Sequence, residues 1–125
     1  MNLFTFLLLS IAGGVGAAAR LLVDGLLRAR GKGAFPFETT VINVTGSLFL
    51  GLITSLAIGH LLPEEWHLIL GGGLLGGYTT FSTASFETVR LIQDRRYLPA
   101  LANGPGMLIA SVLASGLGLW IGFLF

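Results

Sequence analysis

The stretch GGGLLGGYTTFSTASF, residues 71–86, decides how the rest of the chain is interpreted. It lies inside a long apolar segment, but its glycines and the hydroxyl residues Thr79, Thr80, Ser82 and Thr83 all lower helix propensity. A lipid-exposed backbone cannot leave its N–H and C=O groups without partners. Irregular backbone at membrane depth therefore survives only where it is buried in protein or lines a cavity or an ion site. The stretch predicts a broken helix and, at the break, a candidate site.

The composition around this stretch is that of a membrane protein. Of the 125 residues, 54% are hydrophobic and 10% are charged, whereas a soluble domain has about a quarter charged residues. Apolar runs long enough to cross a bilayer predict four transmembrane helices in a single domain that covers residues 1–125. The predicted spans are about 3–26, 39–60, 67–90 and 98–124. The sequence thus predicts an all-α membrane protein whose third helix is broken.

Several function classes are excluded by what the sequence lacks. The chain has no cysteine, which excludes disulfides and Cys-type metal sites. It has no P-loop, dinucleotide fingerprint, nucleophile elbow or HExxH pattern. His60 and His67 flank the second loop without a carboxylate at metal-ligand spacing on a shared face, so we interpret them as polar residues at helix ends. We therefore expect neither an enzyme nor a nucleic-acid partner.

Two predicted helices carry a stripe of polar side chains on one face. A spacing of four residues produces these stripes, which are Thr39, Asn43 and Ser47 in the second span and Asn103, Met107, Ser111 and Ser115 in the fourth. In lipid, polar side chains face the interior of a helix bundle. Spacing alone leaves two interpretations open: the stripes tie helices together, or they line a pathway.

The first span contains a run of small residues, 13–19, followed by Arg20. Small residues let helix backbones approach closely, which is how helices pack in lipid. A charge this close to the hydrocarbon is expensive unless it snorkels or pairs. Arg20 is therefore either an anchor at the membrane interface or a buried structural contact to a helix end or loop.

Three motifs together resemble the small fluoride channel family, the Fluc or CrcB-type proteins. GGVGAAAR at 13–20 is similar to the family's first-helix motif, TTVINVTGS at 39–47 to its second-helix segment, and GGYTTFST at 76–83 to its third-helix break. Their order, their separations and the chain length agree with the family over most of the sequence. The resemblance implies a fluoride-selective channel in the cell membrane that exports cytoplasmic fluoride passively and confers fluoride resistance.

The resemblance also implies an assembly and a set of site residues. The subunits would form an antiparallel dimer with two fluoride pores at the interface and a structural Na⁺ at the dimer centre. By position, the backbone carbonyls of Gly76 and Thr79 would hold this hard cation, which prefers oxygen ligands. Asn43 would be a pore-lining donor, and Phe81 would present its positive ring edge to the anion. The rest of the anion pathway would comprise Thr39, Thr80, Ser111 and Ser115.

The chain departs from the family pattern at two positions. Where the family usually has a second Phe, three residues after the first, this chain has Ala84. Where the fourth helix usually has a Tyr one turn before the first Ser, this chain has Met107. The pore on the face served by Ala84 and Met107 is therefore expected to be weakened or closed.

The charges of the loops predict an orientation. With four spans, the first and third loops share one side of the membrane, and this side receives Arg28, Arg30, Lys32, Arg90, Arg95 and Arg96. The other side, with both termini and the second loop, has no Lys or Arg and contains Glu64 and Glu65. The positive-inside rule then places the basic loops in the cytoplasm and both termini outside. Because such a bias disfavours insertion in both orientations, the expected antiparallel partner is a homologue of opposite bias, or this chain itself.

Two other classes of membrane protein compete with the channel. A small multidrug transporter has a similar length but needs a membrane-embedded carboxylate for proton exchange, and the acidic residues Asp24, Glu38 and Glu87 lie at predicted helix ends. A non-conducting structural or holin-like protein would explain the small-residue packing. It would not explain two polar stripes together with a glycine-rich break.

Overall fold

The computed structural model describes residues 1–31 and 37–125, and every regular element in these ranges is helical. We number the helices α1 (Leu3–Arg30), α2 (Phe37–Ile58), α3 (64–78), α4 (Ser82–Gln93) and α5 (Tyr97–Phe123). Lys32, which belongs to the predicted basic first loop, lies outside the described residues.

Three of these helices, α1, α2 and α5, are long and apolar enough to cross a membrane. By contrast, α4 has 12 residues, and a bilayer requires about 20. Thus α3 and α4 would cross a membrane only together, as two halves of one span. The prediction of an all-α membrane protein is confirmed, whereas the positions at which each span enters the membrane stay predictions.

Glycines allow α1 and α3 to approach until their backbones are in contact. A Cβ atom added at Gly16 would clash with the carbonyl oxygen of Leu74 and lie 2.9 Å from the backbone nitrogen of Tyr78. In the same way, a Cβ atom at Gly77 would clash with the backbone of Gly13. In lipid, burial of apolar surface contributes little to helix association, and close backbone packing of this kind takes its place. It holds the C-terminal end of α3 firmly against α1.

A second glycine seam joins α2 to α5. A Cβ atom at Gly51 would clash with the carbonyl oxygen of Ser115, and one at Gly118 would clash with the carbonyl oxygen of Leu48. Since α2 is thus fixed to α5, the residues on its remaining faces are available to α3.

Polar side chains connect α2 to α3 along much of their length. The hydroxyl oxygens of Thr45 and Tyr78 are 3.1 Å apart, and the hydroxyl of Thr54 lies 3.1 Å from Nε2 of His67. His67 is therefore more than a polar residue at a helix end. These two bonds fix the position of α3 along the axis of α2.

Two helices widen into π-helix where the sequence contains glycines. The glycine-rich part of α3, Leu68–Leu75, is π-helical, and so is Ala102–Gly106 in α5, which contains Pro105. Proline removes a backbone donor, and π-bulges absorb such defects without ending a helix. The segment 103–106, in which Gly and Pro disfavour a helix, therefore stays within α5 as a π-helical turn.

Arg95 offers a test of backbone strain at the end of α4. It follows α4 with φ 60°, where its N–H bonds to the carbonyl of Ile92 at 3.0 Å, and the next N–H, that of Arg96, bonds to the carbonyl of Leu91 at 2.9 Å. This is the Schellman arrangement, which favours glycine at the left-handed position.

Arg95→Gly is expected to stabilise the protein by about 1 kcal/mol, since a side chain costs roughly that much in the left-handed region. Thermal or denaturant unfolding in detergent measures the change. Arg96→Gly is the matched control, because it also removes one charge but acts at φ −95°. Equal effects of the two substitutions would contradict the prediction.

Candidate functional site

The helical path is interrupted at residues 79–81, directly after the glycine-rich segment. Tyr78 is the last residue of α3, Thr79 is extended with φ −80° and ψ 161°, and α4 begins at Ser82. Both the N–H and the hydroxyl of Thr79 donate to the carbonyl of Leu75, each at 2.9 Å. The hydroxyl of Thr79 thus bonds to the last turn of α3. Because Thr79 is extended, its backbone carbonyl does not follow the direction of the helical carbonyls before it.

Asn43 of α2 holds this interruption from the side. Its Oδ1 accepts the N–H of Thr80 at 2.9 Å, and its Nδ2 donates to the carbonyl of the same residue at 2.8 Å. Nδ2 also lies 3.2 Å from the sulfur of Met107 in α5. One amide therefore satisfies both polar groups of the Thr80 backbone, which has left the helical hydrogen-bonding pattern.

Thr80 in turn caps the following helix. Its hydroxyl accepts the N–H of Thr83 at 3.2 Å, which satisfies one of the donors left open at the start of α4. Thr80 is therefore held by Asn43 through its backbone and supports the first turn of α4 through its hydroxyl.

The carbonyl groups of residues 76–79 all lack the partners that a continuous helix would provide, and the bonds to Asn43 and Thr80 account for the loss at Gly76 and Thr79. In such a helix, the N–H of Thr80 would bond to the carbonyl of Gly76, and the N–H of Thr83 to that of Thr79. Within ranges 1–31 and 37–125, no hydrogen-bond donor reaches either carbonyl oxygen. The same ranges contain no cluster of three His, Asp or Glu side chains that could hold a metal ion.

A groove of about 700 Å³ runs past the break between α2, α3, α4 and α5. The structure brings six of the predicted site residues to this groove, namely Asn43, Gly76, Thr79, Thr80, Phe81 and Ser111. Phe81 is 87% exposed, so its ring stands free at the edge of the subunit. The hydroxyl oxygen of Ser111 is buried without a hydrogen-bond partner among the described residues. Ala84 and Met107 line the same groove.

Three predicted site residues lie outside the groove. Thr39 is buried, and its hydroxyl donates to the carboxylate of Glu87 at 2.6 Å. The hydroxyl of Ser115 donates to the carbonyl of Val112 at 2.8 Å. The Nε atom of Arg20 is buried and has no hydrogen-bond partner in the described part of the chain. The structure therefore does not join Thr39 or Ser115 to the groove.

Glu87 was misjudged from the sequence. It was expected at a helix end, but it lies within α4, is half-buried and accepts a hydrogen bond from α2.

Asn103 belongs to the polar stripe of the fourth span, but the sequence did not assign it to the site. It is 0% exposed, and its Nδ2 donates to the hydroxyl of Thr88 at 3.0 Å and to the carbonyl of Ala84 at 3.3 Å. Asn103 thus ties α5 to α4, as Asn43 ties α2 to the break. Both amides support the first interpretation of the polar stripes, in which they connect helices.

The fold and the site define a small helical membrane protein in which an interrupted helix lies beside a groove. Side chains bond to the backbone at the interruption. The chain belongs to the CrcB family: the family model described as CrcB-like protein, Camphor Resistance (CrcB), matches residues 7–123. The family resemblance stated from the three sequence motifs is confirmed.

Relatives from several organisms match nearly the whole chain. The protein called fluoride-specific ion channel FluC 1 of Leifsonia xyli subsp. xyli is 58% identical over 98% of this chain and 89% of its own length. FluC 2 of Cutibacterium acnes is 46% identical over 94% of this chain and 97% of its own. FluC of Pyrococcus abyssi is 39% identical over 99% and 97%, respectively.

Proposed function

We propose that this protein is a fluoride-selective channel through which cytoplasmic fluoride leaves the cell. The observation that carries the proposal is the 58% identity, over 98% of the chain, to a relative named as a fluoride-specific ion channel. As the sequence predicted, the protein is then not an enzyme. Passive flow is sufficient, because HF enters cells as a neutral acid and ionises at neutral pH, so a channel lets the trapped anion leave down its gradient.

The groove supports this proposal through its chemistry. Fluoride is small and strongly hydrated, so a pathway must offer donors in sequence that replace water and still release the ion. The hydroxyl of Ser111 has no protein partner among the described residues, and Phe81 exposes a ring whose edge is positive. Thr80 and Asn43 lie in the same groove. Thr39 and Ser115 stay part of the proposed pathway only if a second subunit extends it to them.

Efflux from liposomes tests the channel function directly. Purified protein, reconstituted alone or with its partner subunit where one exists, is expected to release F⁻ and to retain Cl⁻, as ion-selective electrodes measure. Absence of F⁻ efflux, or equal passage of Cl⁻, would contradict the proposal. Proton-coupled uptake of a cationic drug would instead indicate the transporter class.

The proposal includes a structural Na⁺ at the centre of a dimer, held by the carbonyls of Gly76 and Thr79. The residues fit such an ion, because these two oxygens have lost their helical partners and Na⁺ prefers oxygen ligands. When bound, the ion would hold the interrupted segments of two subunits together. Gly76 and Thr79 would contribute main-chain oxygen only, since the hydroxyl of Thr79 bonds to Leu75.

The partner in this proposal is an antiparallel second subunit, encoded separately and opposite in charge bias. The six basic residues of the first and third loops, against none on the other side, support one fixed orientation with external termini. A partner could also supply the aromatic rings that Ala84 and Met107 replace. Reporter fusions at the C-terminus test this in cells: an external signal alone is expected, and equal signals on both sides would contradict it.

A further inference from the structure

We propose that Asn43 and Thr80 are positioning residues that keep the helix unwound at 79–81 and thereby free the carbonyls of Gly76 and Thr79 for a cation. This inference rests on the proposed Na⁺ site and extends it, because it names the side chains that create the site without touching the ion. Gly76 and Thr79 would be the ligands, and Asn43 and Thr80 would prevent their helical partners from returning.

Asn43 acts on the carbonyl of Gly76. A continuous helix would direct the N–H of Thr80 to that carbonyl, but the N–H instead donates to Oδ1 of Asn43 at 2.9 Å. The carbonyl of Thr80 is satisfied by the same amide at 2.8 Å. Because a buried peptide without partners is costly, the unwound conformation depends on this two-bond pairing.

Thr80 acts on the carbonyl of Thr79 in the same manner. The N–H of Thr83 would bond to that carbonyl in a continuous helix, but it donates to the hydroxyl of Thr80 at 3.2 Å. The side chain of Thr80 thus removes the competitor for the second proposed ligand. Each proposed ligand is freed by one side-chain acceptor that captures the N–H four residues later.

Met107 completes the arrangement by keeping Asn43 in place. Its sulfur lies 3.2 Å from Nδ2 of Asn43, so the amide, which has two N–H groups, is offered two acceptors, the carbonyl of Thr80 and this sulfur. In this subunit Asn43 is therefore held both to the break and to α5, while the hydroxyl of Ser111 in the same groove is buried without a partner among the described residues.

The experiment compares two nearly isosteric changes at one position. Thr80→Val removes the acceptor for the Thr83 N–H, whereas Thr80→Ser keeps it. The protein, purified together with its partner subunit where one exists, is titrated with NaCl at constant ionic strength, with N-methyl-D-glucamine as the replacing cation, and thermal unfolding is recorded. A ligand that binds only the folded protein raises Tm with its concentration, so the titration yields an apparent Na⁺ affinity.

Thr80→Val is expected to weaken the apparent Na⁺ affinity about tenfold, the equivalent of one hydrogen bond, and Thr80→Ser to keep the wild-type value. Asn43→Leu, which removes both bonds to Thr80, is expected to abolish the Na⁺ dependence. Ser111→Ala is the control, because Ser111 lines the groove without bonding to the break. It should keep the wild-type Na⁺ affinity whatever its effect on flux.

The possible outcomes separate the inference from the channel function. Equal Na⁺ affinities for the wild type, Thr80→Val and Asn43→Leu would overturn the positioning role. If the wild type shows no Na⁺ dependence, the sodium site and the positioning role are both overturned, while fluoride efflux tests the channel independently. If Asn43→Leu does not fold, the comparison of Thr80→Val with Thr80→Ser decides alone.

Discussion

Asn43→Asp is expected to abolish fluoride efflux from liposomes. The substituted carboxylate would lie in the groove through which the anion is proposed to pass. Two like charges 4 Å apart repel by about 4 kcal/mol at an effective dielectric constant near 20, which slows passage about a thousandfold. The change also removes the N–H donor to the carbonyl of Thr80. Electrode-measured efflux should fall to the level of protein-free liposomes.

Thr79→Ser is the matched control in the same site. Its hydroxyl can still donate to the carbonyl of Leu75, as that of Thr79 does at 2.9 Å, and its own carbonyl is unchanged. Efflux should stay close to that of the wild type. A fully active Asn43→Asp channel would remove Asn43 from the pathway, and an inactive Thr79→Ser channel would show that the threonine methyl group, and not the carbonyl alone, is required.

Gly16→Ala is expected to have the largest effect on folding, a loss of about 3 kcal/mol of stability, the upper range for overpacking. The added Cβ atom would meet the backbone of Leu74 and Tyr78, and backbone in a helix cannot rotate away as a side chain can. Accommodating the methyl group would push α1 away from α3 and shift the residues before the break. The yield of folded protein in detergent and its thermal unfolding measure the effect.

Gly14→Ala provides the control for this prediction. A Cβ atom at Gly14 has nothing within 4 Å, so the substitution changes helix propensity without changing the seam. It should be neutral or stabilising by up to about 1 kcal/mol, because alanine favours helix over glycine. If Gly14→Ala and Gly16→Ala were equally harmful, the loss would come from the first helix as a whole and not from its contact with α3.

The position of the helix interruption relative to the glycine-rich segment shows why the sequence located the site only approximately. Low helix propensity placed the candidate interruption somewhere in 71–86. In the structure the glycines themselves stay helical, within the π-helix Leu68–Leu75 or directly after it, and the interruption follows at 79–81. The backbone of α1 packs directly against Gly73 and Gly77, a tertiary contact that propensity does not contain.

The polar stripes show a second limit of the sequence. Spacing put Thr39, Asn43 and Ser47 on one face of α2 but left open whether they tie helices or line a pathway. The structure uses Asn43 as a tie to Thr80 and Thr39 as a tie to Glu87, while Ser47 lines the groove. Neighbouring members of one stripe therefore have different environments, because they meet different parts of α3, α4 and α5.

The sequence by itself determined the membrane class, the helical fold, the approximate position of the break and the family. These follow from hydropathy, helix propensity and short motifs, which are properties of a residue and its near neighbours in the chain. Only the tertiary structure decided that Asn43 and Thr80 capture the N–H groups that would close the helix, and that Glu87 has a partner. A hydrogen bond requires its donor and acceptor to lie about 3 Å apart. Whether two side chains on different helices meet this condition depends on how closely the helices pack, and the glycine seams that determine the packing join residues far apart in sequence.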